Sequence, residues 1–268
     1  MRKYKRKIYQ IVCRIENNMY FCPINQPKKF NKGRPEFMVL TILTFALLPA
    51  ILLWLYIWQK DPHKEPTWLL IKATLFGVGI CIPVSFVEIG IEMLLFGPGG
   101  APSDIFGTGA MAFLVAALPE EAFKLFALWL VLRKNPYFDE HFDGIVYAVC
   151  VGLGFAAFEN VFYVINEENW LAVAIARSLL AVPGHYAFAI LMGYYYSLYH
   201  FVDKSPKTAA CILLAPVLLH GIYDTLAMSS IVNPYIGGLG FIILVYFCVK
   251  MHKLARTRVL AMIAKDKS

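Results

Sequence analysis

Charge is scarce in this chain of 268 residues: Asp, Glu, Lys and Arg make up 16 % of it, against roughly 25 % in an ordinary soluble domain. A fully solvated surface is therefore excluded. Cysteines lack any paired pattern, since Cys13, Cys22, Cys81, Cys150, Cys211 and Cys248 include no CxxC and four of them fall inside apolar runs. That excludes a disulfide framework and a thiolate zinc cluster, and leaves small buried hydrophobes. Arg2, Lys3, Lys5, Arg6 and Lys7 are not followed by an apolar run with a small-residue cleavage site, so no cleaved leader is expected. No inverted repeat is evident, which removes one common mark of a transporter.

What the chain has is apolar length. Hydrophobic residues make up 59 % and mean hydropathy is +0.59, the composition of a multi-pass membrane protein. The net charge of +7 gathers mostly at the two ends, as membrane-flanking charge does, so a nucleic-acid partner is not expected. The expected architecture is an all-α bundle of seven or eight membrane helices, with a basic N-terminal tail at 1–36, an integral membrane domain at 37–250 and a basic C-terminal tail at 251–268.

In order, apolar segments run over 37–59, 68–96, 106–132, 143–165, 170–201, 208–228 and 235–249. Arg133-Lys134, the 202–207 loop and the C-terminal tail are basic, whereas Glu167-Glu168 is acidic. The positive-inside rule then puts the three basic stretches in the cytoplasm and the acidic loop outside. Ten basic residues before Phe37 ask for the N-terminus inside as well. An even number of crossings is needed, so one proline-broken segment should re-enter, and 106–132 is the favoured one.

That segment carries Leu118-Pro119-Glu120-Glu121-Ala122-Phe123-Lys124. An ionisable group at bilayer depth costs about 2.5 to 3.5 kcal/mol on insertion scales unless it faces a partner or a water cavity. Pro119 suits the start of a helix, with both glutamates in its first turn near the positive dipole end. Glu120 and Lys124 are spaced to pair at i, i+4, which would order the bundle but leaves Glu121 without a partner.

Three further spans carry polar groups: Glu159 and Asn160, then His185 after the Pro183-Gly184 bend, then His220 and Asp224. Singly, each has a structural reading, such as a satisfied core histidine, a His220–Asp224 hydrogen bond, or Arg177 neutralising a glutamate. Four such clusters on four spans point to a shared site. Carboxylates with imidazoles can bind a divalent metal through N and O atoms or activate water directly by acid–base chemistry, and both remain open. Glu88 and Glu92, four residues apart, are unassigned.

EExxK at Glu120–Lys124, FxxxE at Phe155–Glu159, His185 after Pro-Gly, and HxxxD at His220–Asp224 resemble, in the same order, the PrsW family of membrane proteases, distant relatives of the CAAX-processing and Abi proteases. The resemblance covers roughly 60–250. It implies a membrane-embedded endopeptidase of the bacterial inner membrane with Glu120, Glu121, Glu159, His185, His220 and Asp224 as candidate catalytic residues. Glu120 would be the base, Glu159 would stand where CAAX enzymes have their first His, and His220 with Asp224 would serve the oxyanion. Glu121, Glu159, His185 and His220 are the candidate donors for a zinc ion, a metal-free mechanism being the alternative. The implied partner is a single-pass membrane protein such as an anti-sigma factor. A proton- or cation-coupled transporter and a non-catalytic membrane scaffold are the competing readings.

Overall fold

The computed structural model describes residues 36–98, 100–166 and 169–267. The basic tail before Glu36, with Cys13 and Cys22, and the acidic pair Glu167-Glu168 lie outside the described residues. Among the described residues there are seven long helices and no strand: α1 (Glu36–Lys60), α2 (Thr67–Phe96), α3 (105–132), α4 (Asp143–Asn166), α5 (Trp170–Val202), α6 (Pro206–Met228) and α7 (Pro234–Asp266). All except α3 are long and apolar enough throughout to cross a bilayer. Helix α3 is of matching length, ~42 Å at ~1.5 Å per residue, and differs in bearing the buried charges. The expected polytopic bundle is the one observed.

Helix α4 is the central post, packed on α1, α2, α3 and α5. Its small residues allow this, because helices in a membrane associate by close packing rather than by escape from water. A Cβ on Gly77 of α2 would meet the Val151 carbonyl oxygen at 2.0 Å, and one on Gly154 would meet that of Thr74 at 2.1 Å. On the other flank, a Cβ on Gly193 of α5 would lie 2.3 Å from the Gly144 carbonyl. Alanine at any of these would force the backbones apart.

Prolines inside the helices do not break them. Pro49 has no N–H for the Phe45 carbonyl, which instead accepts from Ser178 Oγ at 3.2 Å, while the next carbonyl, Ala46, accepts from Asn160 Nδ2 at 2.7 Å. In α3 and α5 the chain widens to π pitch just before a proline: Leu118 N–H reaches back five residues to the Phe113 carbonyl, and Val182 N–H five residues to that of Arg177. The wider turn makes room for the rings of Pro119 and Pro183, which a regular turn would press against a carbonyl.

Pro119 therefore neither opens a helix with free N–H groups nor turns the chain back. The expected re-entry of 106–132 is corrected, and so is the alternative break at Pro83, since α2 runs unbroken from Thr67 to Phe96. Contacts at one end of the bundle agree. Asp266 at the end of α7 accepts from the backbone N–H of His141 at 2.7 Å and of Phe142 at 2.9 Å, and Phe138 meets Phe201 at 4.9 Å. There, too, His63 pairs with Glu140, and Tyr147 donates to Glu65, whose carboxyl burial pushes up to about 7. The loops after α1, α3 and α5 share that end, so α2 and α3 each run the full height. The basic residues from 251 on form the last turns of α7, with Met251, Ala255, Val259 and Met262 buried at helical spacing.

Single cysteines at Tyr137, Lys204 and Ala264 should respond alike to an impermeant maleimide in intact cells, and oppositely to one at Ala101. If Ala101→Cys and Tyr137→Cys label from the same side, α3 re-enters after all.

Candidate active site

Helices α3, α4, α5 and α6 each turn a polar side chain to one point inside the bundle. At its centre is the Lys124 ammonium, which donates to Glu120 Oε2 and Glu121 Oε1, both at 2.9 Å, and lies 3.2 Å from His185 Nδ1. Spacings of four and three residues both reach round one helix face, so Lys124 serves both glutamates. Glu121 is not without a partner, as the one-pair reading held. Below the ammonium, Phe155 presents its ring face at 4.0 Å from Nζ, a cation–π contact made where water is excluded. This gives the Phe of FxxxE a role.

Each imidazole is held at both nitrogens. His185 has Lys124 at Nδ1 and Glu159 Oε2 at 2.9 Å from Nε2. Glu159 is in turn 3.0 Å from Arg177 Nη2, and Arg177 Nε donates to Asn160 Oδ1 at 3.0 Å. His220 has Glu121 Oε1 at 2.9 Å from Nδ1, with Asp224 Oδ2 at 3.2 Å and Glu120 Oε2 at 4.0 Å from Nε2. Phe188 stacks on the His220 ring at 4.7 Å. All six sequence-derived residues thus join one network, with Arg177 and Asn160 at its edge.

Within the network the residues differ in access. Glu120, Glu159, His185, His220 and Asp224 line a cavity of about 640 Å³, whereas Glu121 and Lys124 stand behind its wall. Glu121 is 0 % exposed. The rest of the wall is mainly apolar, with Phe86, Phe158 and Phe241 among its residues.

Glu120, Glu121, His185 and His220 offer ligand atoms that all lie within 4.8 Å of one another. Glu159 is one hydrogen bond outside that set, on the far nitrogen of His185. Two imidazoles and two carboxylates suit a divalent ion of borderline softness. One detail favours such a ligand: Glu121 Oε2 is buried with no hydrogen-bond partner, a costly state for a carboxylate oxygen. The cluster can therefore hold a metal ion, with Lys124 competing for His185 Nδ1.

Comparison with known proteins decides among the readings that this geometry permits. Residues 65–251 match the profile of the PrsW family intramembrane metalloproteases. The chain belongs to that family. It is 36 % identical over 190 residues to Protease PrsW of Oceanobacillus iheyensis, covering 69 % of this chain and 82 % of that one. Against Protease PrsW of Geobacillus kaustophilus it is 32 % identical over 218 residues, 81 % and 92 % of the two chains. The Protease PrsW of Bacillus subtilis is 33 % identical over 186 residues, 68 % and 81 %. No solved structure matches the chain. Family membership makes it a membrane-embedded peptidase, and the transporter and scaffold readings are set aside. Every PrsW motif quoted from the sequence falls in the network around Lys124.

Sequence reasoning missed the double role of Lys124 and the stacking of Phe188, and left Glu88 and Glu92 unassigned; both acids line the cavity. Their i, i+4 spacing was the available signal. Removing Lys124 leaves two buried carboxylates uncompensated, which should cost about 3–5 kcal/mol. Lys124→Met is expected to lower the thermal unfolding midpoint in detergent markedly; an unchanged midpoint would show that the two glutamates do not depend on it.

Proposed function

We propose that the chain is an endopeptidase of the bacterial inner membrane that cuts a single-pass membrane protein, of which a membrane-anchored anti-sigma factor is one example, using water activated by Glu120. The observation that carries this reading is the split in access: Glu120 faces the cavity while its neighbour Glu121 is sealed behind it. A base must reach the water it deprotonates.

Glu120 takes a proton from that water, whose oxygen adds to the scissile carbonyl carbon. As the C–N bond breaks, the same carboxyl returns the proton to the leaving nitrogen. His220, steadied by Asp224, stands 4.0 Å from Glu120 on the cavity wall, and would support the oxyanion. His185 is kept in place by Glu159, itself charge-paired with Arg177. Glu159 thus acts by positioning His185. The residues that would hold a zinc ion are Glu121, His185 and His220. Such an ion would supply Lewis acidity, polarising a carbonyl or a water beside Glu120.

The end of the bundle bearing Arg133, Lys134, Lys204 and the last turns of α7 is proposed as cytoplasmic, since its loops hold the basic residues among the described connections. Seven crossings then place the start of α1 on the outer side. Glu120→Gln keeps the side chain's shape and removes the base. It should lower cleavage of a co-expressed, doubly tagged single-pass substrate by about 10²- to 10⁴-fold, with membrane insertion intact. Cleavage at the wild-type rate by Glu120→Gln would end this assignment.

A further inference from the structure

Glu88 and Glu92 lie one helical turn apart on α2, and both line the cavity. Glu92 is 5 % exposed, yet among the described residues it has no hydrogen bond or ion pair. Glu88 is half-buried and equally unpartnered. This differs from the central cluster, where every carboxylate has a cation or imidazole within 3.2 Å. Lys124 and Arg177 pair with Glu120, Glu121 and Glu159, and among the described residues no cation pairs with Glu88 or Glu92. A carboxyl with no partner in a mainly apolar wall is neutralised by a proton until a cation is brought to it, so a cationic group entering the cavity would find two acids free to pair with it.

The open side of the cavity shows how one would arrive. Ile82 and Phe86 of α2 and Phe241 of α7 line it and are exposed on the bundle's outer face. Helices α2 and α7 make no substantial contact with each other, so an apolar segment has a path from the lipid between them. Along that path the two acids form a stripe beside the Glu120 site.

We infer that Glu88 and Glu92 form a subsite for a cationic side chain, Lys or Arg, carried by the substrate's membrane segment close to the bond that is cut. The inference rests on the peptidase reading. An aliphatic stem suits the apolar wall while the charged head reaches the carboxylates, so the acids would select substrates and set which bond lies over Glu120.

The test uses the full-length protein in detergent and synthetic single-pass peptides of about 25 residues. They share an apolar core in which one scanned position is Lys, Gln or Glu. Binding is measured with the Glu120→Gln variant by fluorescence anisotropy, and products of the unaltered enzyme are read by mass spectrometry. At one or more neighbouring positions, Lys peptides should bind about tenfold or more tightly than their Gln counterparts, with Glu peptides weakest. Cuts should fall at a constant distance from the Lys. In the Glu88→Gln/Glu92→Gln protein the Lys-to-Gln ratio should fall toward one. Equal binding of Lys and Gln peptides at every position, or a preference that survives the double substitution, overturns the subsite. Cleavage without any basic preference also overturns it while leaving the peptidase reading standing. Binding with the expected preference but no cleavage supports the subsite and counts against the peptidase reading.

Discussion

The structure depends on how one ammonium is kept at membrane depth. Lys124 is 3 % exposed and is surrounded by two carboxylates of its own helix, His185 Nδ1 at 3.2 Å and the ring face of Phe155. Each of these contacts is made where little water reaches, so the helices that supply them are held to one arrangement. Helix α3 brings the glutamates, α4 brings Phe155 and Glu159, α5 brings His185, and α6 brings His220. Packing and chemistry are one requirement here, because the contacts that fix the bundle also orient the groups that face the cavity.

In α3, α5 and α6 a proline stands one to four residues before a residue of the site. Pro119 immediately precedes Glu120, Pro183 lies two residues before His185, and Pro216 four before His220. In α3 and α5 a π turn stands before the proline. A wider turn shifts the residues after it around the helix axis, which helps to aim them at a common point. Local irregularity at a buried site is tolerated because neighbouring side chains satisfy what it exposes. The pairing of Ser178 and Asn160 with the carbonyls near Pro49 shows the same economy in α1.

Much of this was legible in the sequence because membrane burial is so unforgiving of charge. A carboxylate, imidazole or amide inside an apolar span has few places to go, so Glu120, Glu159, His185 and His220 could be assembled on paper from four separate spans. Two things were not legible. A proline reads as a break, and only the backbone reveals the π turn that carries α3 past Pro119. Charge counting over loops then led to a re-entrant segment that the unbroken run of α3, and the contacts of His63 with Glu140 and of Tyr147 with Glu65, rule out. The second was depth behind the wall. Glu120 and Glu121 are adjacent letters of one motif, yet one faces the cavity and the other does not.

The central proposal is that donors from three helices, Glu121, His185 and His220, hold one divalent ion beside Glu120 and that hydrolysis needs it. Purified protein in liposomes with a single-pass substrate, stripped by a chelator and then given zinc, tests this most directly. The account predicts cleavage lost on stripping and restored by about one equivalent of zinc per chain. Full cleavage by protein shown by elemental analysis to contain no metal would contradict it.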